Sequence, residues 1–176
     1  MKKTIVAMLV LLMIASPTVF AQQKPIKLVF TSVSVPTDAH TQAMYVFKEE
    51  VEKLSGGQIQ IDVYDSGKLF TQQAEQDAIR KGTVDMVYSS ASWLAEFVPY
   101  LSMFGAAYTF QSYDQMTKTF NGPIGKKMFE DVAKKTGVRP LCAFYLGTRQ
   151  LNLIAKVGPV TKPEQMKGVK LRVPQS

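Results

Sequence analysis

The sequence predicts an α/β layer built on a largely parallel central sheet. Three observations point to it. Strand-like and helix-like stretches alternate in the order β-α-β-α-β-α-α-β. Val84 to Tyr88 is a mostly apolar run, as in a strand buried on both faces. Polar residues follow directly on strand-like stretches at Thr31-Ser32-Val33-Ser34, Ser89-Ser90 and Gly147-Thr148-Arg149. In such sheets ligands bind beyond the carboxyl ends of the strands. The 176 residues are enough for about one domain, and 46% apolar with 20% charged residues excludes a disordered or fibrous chain.

Ile26, Leu28 and Phe30 alternate with Lys27, Val29 and Thr31, which predicts the first strand. Pro36-Thr37-Asp38 offers a turn and a helix cap. Met44, Phe47, Val51 and Leu54 follow at spacings of three and four, predicting an amphipathic helix that Gly56-Gly57 ends. Ile59, Ile61 and Val63 predict a second strand, closed by the turn Asp65-Ser66-Gly67. Gln72 to Lys81 reads as a helix with Ala74, Ala78 and Ile79 inward, stopped by Gly82. Pro99 to Phe110 is aromatic and irregular, and Phe104, Tyr108 and Phe110 read as packing residues. Two helices are expected at Tyr113 to Phe120 and Ile124 to Lys135, the latter closed by Gly137. Val138 to Tyr145 reads as a strand, Gly147 to Lys156 as extended, and Val169 to Val173 as a further strand.

The chemistry is bounded by what the chain carries. Cys142 is the only Cys, so no internal disulfide is formed, and its mid-strand position predicts a small buried hydrophobe. His40 is the only His, which excludes most zinc sites and leaves catalytic Ser-His-Asp or Cys-His pairs without support. Its place just after the cap predicts a solvated first-turn residue. No GxGxxG, P-loop, GxSxG, CxxC or HExxH is present, so no cofactor is expected. The basic residues, among them Lys48, Lys53, Lys68, Lys81, Lys126, Lys127, Lys134 and Lys135, are scattered over expected helix surfaces. That spread argues against a nucleic-acid or membrane patch. The net positive charge still favours an anionic small ligand.

Residues 1–21 read as a secretory signal peptide. Lys2 and Lys3 precede the apolar run Ile5 to Ala15, too short for a bilayer, and Val19-Phe20-Ala21 fits a cleavage site. Without Lys2 and Lys3 the formal charge falls from +7 to +5. The mature chain is expected to start near Gln22 and to work in the periplasm, outside the membrane.

Two arginines stand out. Arg149 follows a strand-like stretch in Gly147-Thr148-Arg149-Gln150, and Arg172 lies within Lys170-Leu171-Arg172-Val173-Pro174. Such an arginine is either on an exposed face or paired with an anion in a cleft, since guanidinium meets a carboxylate through two parallel hydrogen bonds. With Met166-Lys167-Gly168-Val169 before the second motif, the pair closely resembles the DctP-type solute-binding subunit of tripartite ATP-independent periplasmic (TRAP) transporters. Phe47 through Gly57, Val63-Tyr64-Asp65-Ser66-Gly67-Lys68-Leu69 and Gly82-Thr83-Val84-Asp85-Met86 are similar to that family in the same order, with Asp65 where a Pro is usual.

The resemblance implies a periplasmic binding protein-like, type II lobe with a mainly parallel or mixed central sheet and a truncated second lobe. Residues 22–146 would form the incomplete N-terminal lobe, and 147–176 the crossover strand and the start of the second. It implies a binding protein rather than an enzyme, which captures a small organic acid and delivers it to TRAP membrane permease subunits. Arg172 matches the arginine that clamps the ligand carboxylate, and Arg149 the one that supports it. Ser90 and Trp93 stand where some sialic-acid-binding members carry Glu and Arg, which argues against a sialic-acid-like ligand. Trp93 is a candidate apolar or stacking wall. Thr31, Ser32 and Thr71 are candidate hydroxyl contacts. A carboxylate held by one lobe alone is solvent-exposed, so millimolar or weaker affinity is expected of this chain. A secreted α/β enzyme and a truncated remnant without function are the readings left open beside this one.

Overall fold

The computed structural model describes residues 24–148 and 150–172. The signal peptide at 1–21, Arg149 and Val173 lie outside the described residues. The sheet has three strands, β1 (Ile26–Thr31), β2 (Ile59–Tyr64) and β3 (Met86–Val87), in the order β2-β1-β3. Both pairings are parallel. β1 runs beside β2 from Ile26↔Ile59 to Thr31↔Tyr64, and beside β3 at Phe30↔Met86 and Thr31↔Val87. The expected strand at Val84 to Tyr88 is therefore two residues long, although Val84 is buried as its apolar surroundings imply.

Helix α1 (Ala39–Leu54) returns the chain from β1 to β2. Its buried residues are Thr41 and Met44, while Phe47 is exposed and Leu54 is 82% exposed. The apolar spacing thus overstates the packed face. Asp38 occupies the cap position but its side chain makes no cap bond. Its amide instead closes a turn on the Val35 carbonyl at 3.0 Å.

The far half of α1 does something else: it covers the outer edge of β2. Glu52 Oε1 accepts from the Ile61 amide at 2.9 Å, and Lys48 Nζ donates to the Ile61 carbonyl at 2.7 Å. Ser55 Oγ accepts from the Ile59 amide at 3.1 Å and donates to the Ile59 carbonyl at 3.4 Å. Backbone groups that would otherwise present an open strand edge are satisfied by side chains.

Helix α2 (Gln72–Arg80) leads to β3, and the short helix α3 (Ala91–Leu94) and the 3-10 helix Pro99–Gly105 follow. Helices α4 (Tyr113–Asn121) and α5 (Pro123–Thr136) match the expected pair. They meet so closely that a Cβ on Gly125 would run into the Phe120 carbonyl oxygen. Gly137 ends α5 at φ 75°, a left-handed conformation suited to glycine. Two apolar cores result. Phe30, Met44 and Ile61 pack between α1 and the sheet. Ala95, Val98, Leu101 and Val132 pack between the 91–105 segment and α5.

Beyond Gly137 the two expected strands are not formed. Val138 to Tyr145 forms no strand, nor do residues 169–172. Residues 147–148 and 150–156 carry no ladder, and a 3-10 turn follows at Ala155–Val157. Alternating apolar residues make a strand only beside a partner edge. Among the described residues, the backbone of 138–145 is anchored beyond its turn by the Asn121 amide, which donates to the Ala143 carbonyl at 2.8 Å and accepts from its N–H at 3.1 Å. Leu141 is left 68% exposed and Cys142 is an exposed free thiol, not a buried hydrophobe. Tyr108, expected to pack, is 90% exposed at φ 61°, whereas Phe104, Phe110 and Phe120 do cluster.

Met44 is fully enclosed between α1 and the sheet. Met44→Ala is expected to cost about 2–5 kcal/mol in urea unfolding, against at most about 0.5 kcal/mol for Leu54→Ala on the same helix. Equal losses would contradict this packing.

Candidate functional site

The carboxyl ends of β1 and β3 lie side by side, and the first two turns of α2 sit against them. Thr71 starts α2, its hydroxyl accepting from the Ala74 amide at 3.4 Å. One turn on, Glu75 and Gln76 turn inward and are buried, although the helix pattern marked only Ala74, Ala78 and Ile79 as inward. Each meets a hydroxyl from a strand end. Thr31 Oγ1 donates to Glu75 Oε1 at 3.0 Å, and Ser89 Oγ donates to Gln76 Oε1 at 2.7 Å. Burial raises the Glu75 carboxyl pKa above its ordinary value, and the Thr31 hydrogen bond offsets part of that rise.

The turns after β1 and β2 are laced together. The Ser32 amide donates to the Tyr64 carbonyl at 2.9 Å, Ser66 to Ser34 at 2.9 Å, and Gly67 to Ser32 at 3.0 Å. Buried Asp65 anchors the second turn. Its Oδ2 accepts from Tyr45 Oη at 2.7 Å and its Oδ1 lies 2.8 Å from Lys68 Nζ. Lys68 and then Tyr45 hold this carboxyl down to a pKa of about 2. A proline at this position, usual in the family the sequence resembles, could make none of these bonds.

An aromatic group stands beside β3. Tyr88 packs edge-on against Phe30 at 5.1 Å and Phe144 at 5.2 Å, and donates its hydroxyl to the His40 carbonyl at 2.8 Å. Burial pushes the Tyr88 hydroxyl up to about 12. His40 is not the solvated residue expected. Its ring lies 5.9 Å from Tyr88 and 6.1 Å from Phe144, and its Nδ1 is buried without a partner. A lone histidine after a cap gives no signal for this, because Phe144 arrives from a hundred residues away.

The sequence-derived candidates fall into separate places. Thr31 is fully buried and committed to Glu75. Thr71 is exposed and caps the same helix, so α2 brings these two together. Ser32 is buried, its hydroxyl accepting from the Ser34 amide at 3.1 Å. Ser90 and Trp93 share α3: Ser90 Oγ accepts from the Trp93 amide at 3.4 Å and shares a 2.8 Å hydrogen bond with Ser92, and Trp93 is half-buried. Arg172 is exposed, and no ion pair of it occurs among the described residues. Arg149 lies outside them. Sequence reasoning missed Glu75 and Gln76. The available signal was that Glu75 sits four residues before Ile79 and shares its face. Among the described residues, no cluster of His, Cys, Asp and Glu could hold a metal ion. A groove of about 590 Å3 on α5, lined by Tyr100, Ile124, Met128 and neighbouring charges, contains no strand-end residue.

Comparison with known proteins converges on one family. The family described as DctP, bacterial extracellular solute-binding protein, family 7, matches residues 30–176. A solute-binding protein of Roseobacter denitrificans is 29% identical over 161 residues, covering 92% of this chain and 48% of that protein. The C4-dicarboxylate-binding protein DctB of Bacillus subtilis is 32% identical over 130 residues, covering 74% of this chain and 36% of that protein. The crystal structure of a TRAP periplasmic solute-binding protein from Roseobacter denitrificans, with bound 3-deoxy-D-manno-oct-2-ulosonic acid, superposes with a TM-score of 0.61 at 28% identity. That match covers 67% of this chain and 38% of the other. The chain thus spans about half or less of the length of the relatives it matches.

The Asp65 anchor sets a pH dependence. Its carboxyl is held at about 2, below the unfolded value of 3.8. The stability it contributes is therefore present above about pH 4 and lost as pH falls through about 2. Asp65→Asn removes that contribution. Urea midpoints measured at pH 5 and pH 2.5 are expected to differ less in the variant than in the unsubstituted chain; an unchanged difference would contradict the anchor.

Proposed function

Because the chain belongs to bacterial extracellular solute-binding protein family 7, we propose that it captures an organic acid outside the cytoplasm for a TRAP-type membrane transporter. The observation that carries this reading is the family match, which runs from β1 through the Arg172 segment. Its chemistry is ion pairing without catalysis. Arg172 clamps the ligand carboxylate through two parallel hydrogen bonds, and Arg149 supports the same group. Trp93 forms an apolar wall, and Ser90, Thr31 and Thr71 line or brace the polar end of the crevice. In this layout residues 22–146 form the first lobe, and 147–176 cross into the second.

Binding requires that the carboxylate leave water, so the arginine contributes most where the crevice is closed to solvent. Thermal unfolding of the chain with a panel of mono- and dicarboxylic, keto and sugar acids tests the reading. An acid present at 100 times its Kd stabilises the fold by about 2.7 kcal/mol. At least one acid is expected to raise the transition, and Arg172→Ala to abolish that rise. A rise that survives Arg172→Ala would overturn the assigned clamp.

The reading extends to location. Lys2, Lys3 and the apolar run Ile5 to Ala15 direct export, with cleavage after Ala21 into the periplasm. Expression in a Gram-negative host followed by N-terminal sequencing of the periplasmic fraction is expected to start at Gln22. Recovery of the intact Met1 terminus in the cytoplasm would refute it.

A further inference from the structure

The groove of about 590 Å3 is lined by residues of α5 and by Tyr100 of the 3-10 helix Pro99–Gly105. Its apolar lining is Ile124, Met128 and Tyr100. Ile124 and Met128 stand four residues apart, on one face of α5. Met128 packs against the core of Val98, Leu101 and Val132, whereas Ile124 is 66% and Tyr100 39% exposed. The floor is thus tied to the core, while apolar surface above it lies open to water.

The charges of the lining are unevenly matched. Glu130 and Asp131 are already neutralised: Arg139 Nη1 lies 2.6 Å from Glu130 Oε1, and Lys135 Nζ lies 3.2 Å from Asp131 Oδ2. Lys135 also stands over the Tyr100 ring at 5.4 Å. Lys127 and Lys134, the other two, are exposed and form no ion pair among the described residues. They leave the groove an excess of positive charge. Seven positions separate them, which is two helical turns, or about 10.5 Å along the axis.

The occupant must complement both the apolar lining and the two cations. A single carboxylate would leave the apolar lining in water. An incoming strand finds no edge here, because the backbone groups of α5 are used within the helix. A lipid surface does not enter a recess. An amphipathic helix does, and two of its turns repeat the spacing of the cations.

We infer that this groove docks an amphipathic helix of a partner protein, with acidic residues seven positions apart facing Lys127 and Lys134. This goes beyond the capture of an organic acid. Under the transporter reading above, the helix belongs to the membrane subunits, whose segments on this side of the membrane are poor in Lys and Arg. That choice of partner rests on the reading; the chemistry of the groove does not.

The test uses two synthetic helical peptides with the same Leu-lined face. One carries Glu at two positions seven apart, the other Lys at both. Binding is followed by fluorescence anisotropy. The unsubstituted chain is expected to bind the Glu peptide at least about tenfold more tightly, and added salt to weaken that binding. Joint substitution Lys127→Glu and Lys134→Glu, both at exposed positions, should reverse the preference. Ile124→Ser should weaken the Glu peptide in the unsubstituted background and leave the charge preference intact. Equal binding of the two peptides, or a preference unmoved by the charge reversal, overturns the docking site. So does binding to vesicles of phosphatidylethanolamine and phosphatidylglycerol with none to either peptide, or self-association that Ile124→Ser abolishes. The thermal rise with an organic acid should be the same in these variants. Loss of peptide binding alone therefore leaves the organic-acid reading standing, and failure of every acid leaves the groove standing.

Discussion

Strand β1 is the element on which the rest depends, because among the described residues it is the strand with hydrogen-bonded neighbours on both sides. Its parallel ladders to β2 and β3 bring Thr31, Tyr64 and Val87 to one level. That alignment carries the loops after each strand to a common edge. Parallel neighbours require a crossover, and α1 and α2 supply the two. The position of Glu75 and Gln76 against Thr31 and Ser89 is thus a consequence of strand order. Were β1 displaced, the hydroxyls of β1 and the β3 loop would no longer face the same two turns of α2.

Burying polar groups beneath that edge costs stability that apolar side chains at the same positions would not. Glu75 in particular is removed from water with one hydroxyl on its Oε1. Its raised pKa means that burial outweighs that hydrogen bond in setting its protonation. Proteins keep such groups where geometry matters more than stability. The two acceptors on α2 fix the direction in which the Thr31 and Ser89 hydroxyls point.

How far the sequence foretold this depended on how local the cause was. The alternation Ile59, Ile61, Val63 and the stop at Gly137 are set by neighbours in the chain, and both appear as read. Met44 is buried as its spacing implies, but Leu54 is not, because helix periodicity gives a face and not what lies against each position of it. Val138 to Tyr145 has the composition of a strand and lacks a ladder, since pairing is a property of two segments. Glu75 shares a face with Ile79 and was passed over for a related reason: a glutamate reads as solvent-facing until a hydroxyl from Thr31, forty-four positions earlier, is known to meet it. The two arginine motifs were legible as motifs. Their local structure was not, with Arg172 outside any strand and Arg149 outside the described residues.

The side chains of α1 that engage Ile59 and Ile61 give the sheet a direction. With Ser55, Glu52 and Lys48 occupying both backbone groups of alternate β2 residues, that flank is sealed against any incoming strand. β3 has no comparable seal on its outer flank; beside it lies a stretch moored to Asn121 rather than to the ladder. Enlargement of the sheet, by this polypeptide or by another, can therefore proceed from one flank only. Whatever joins there arrives next to Tyr88 and Ser89.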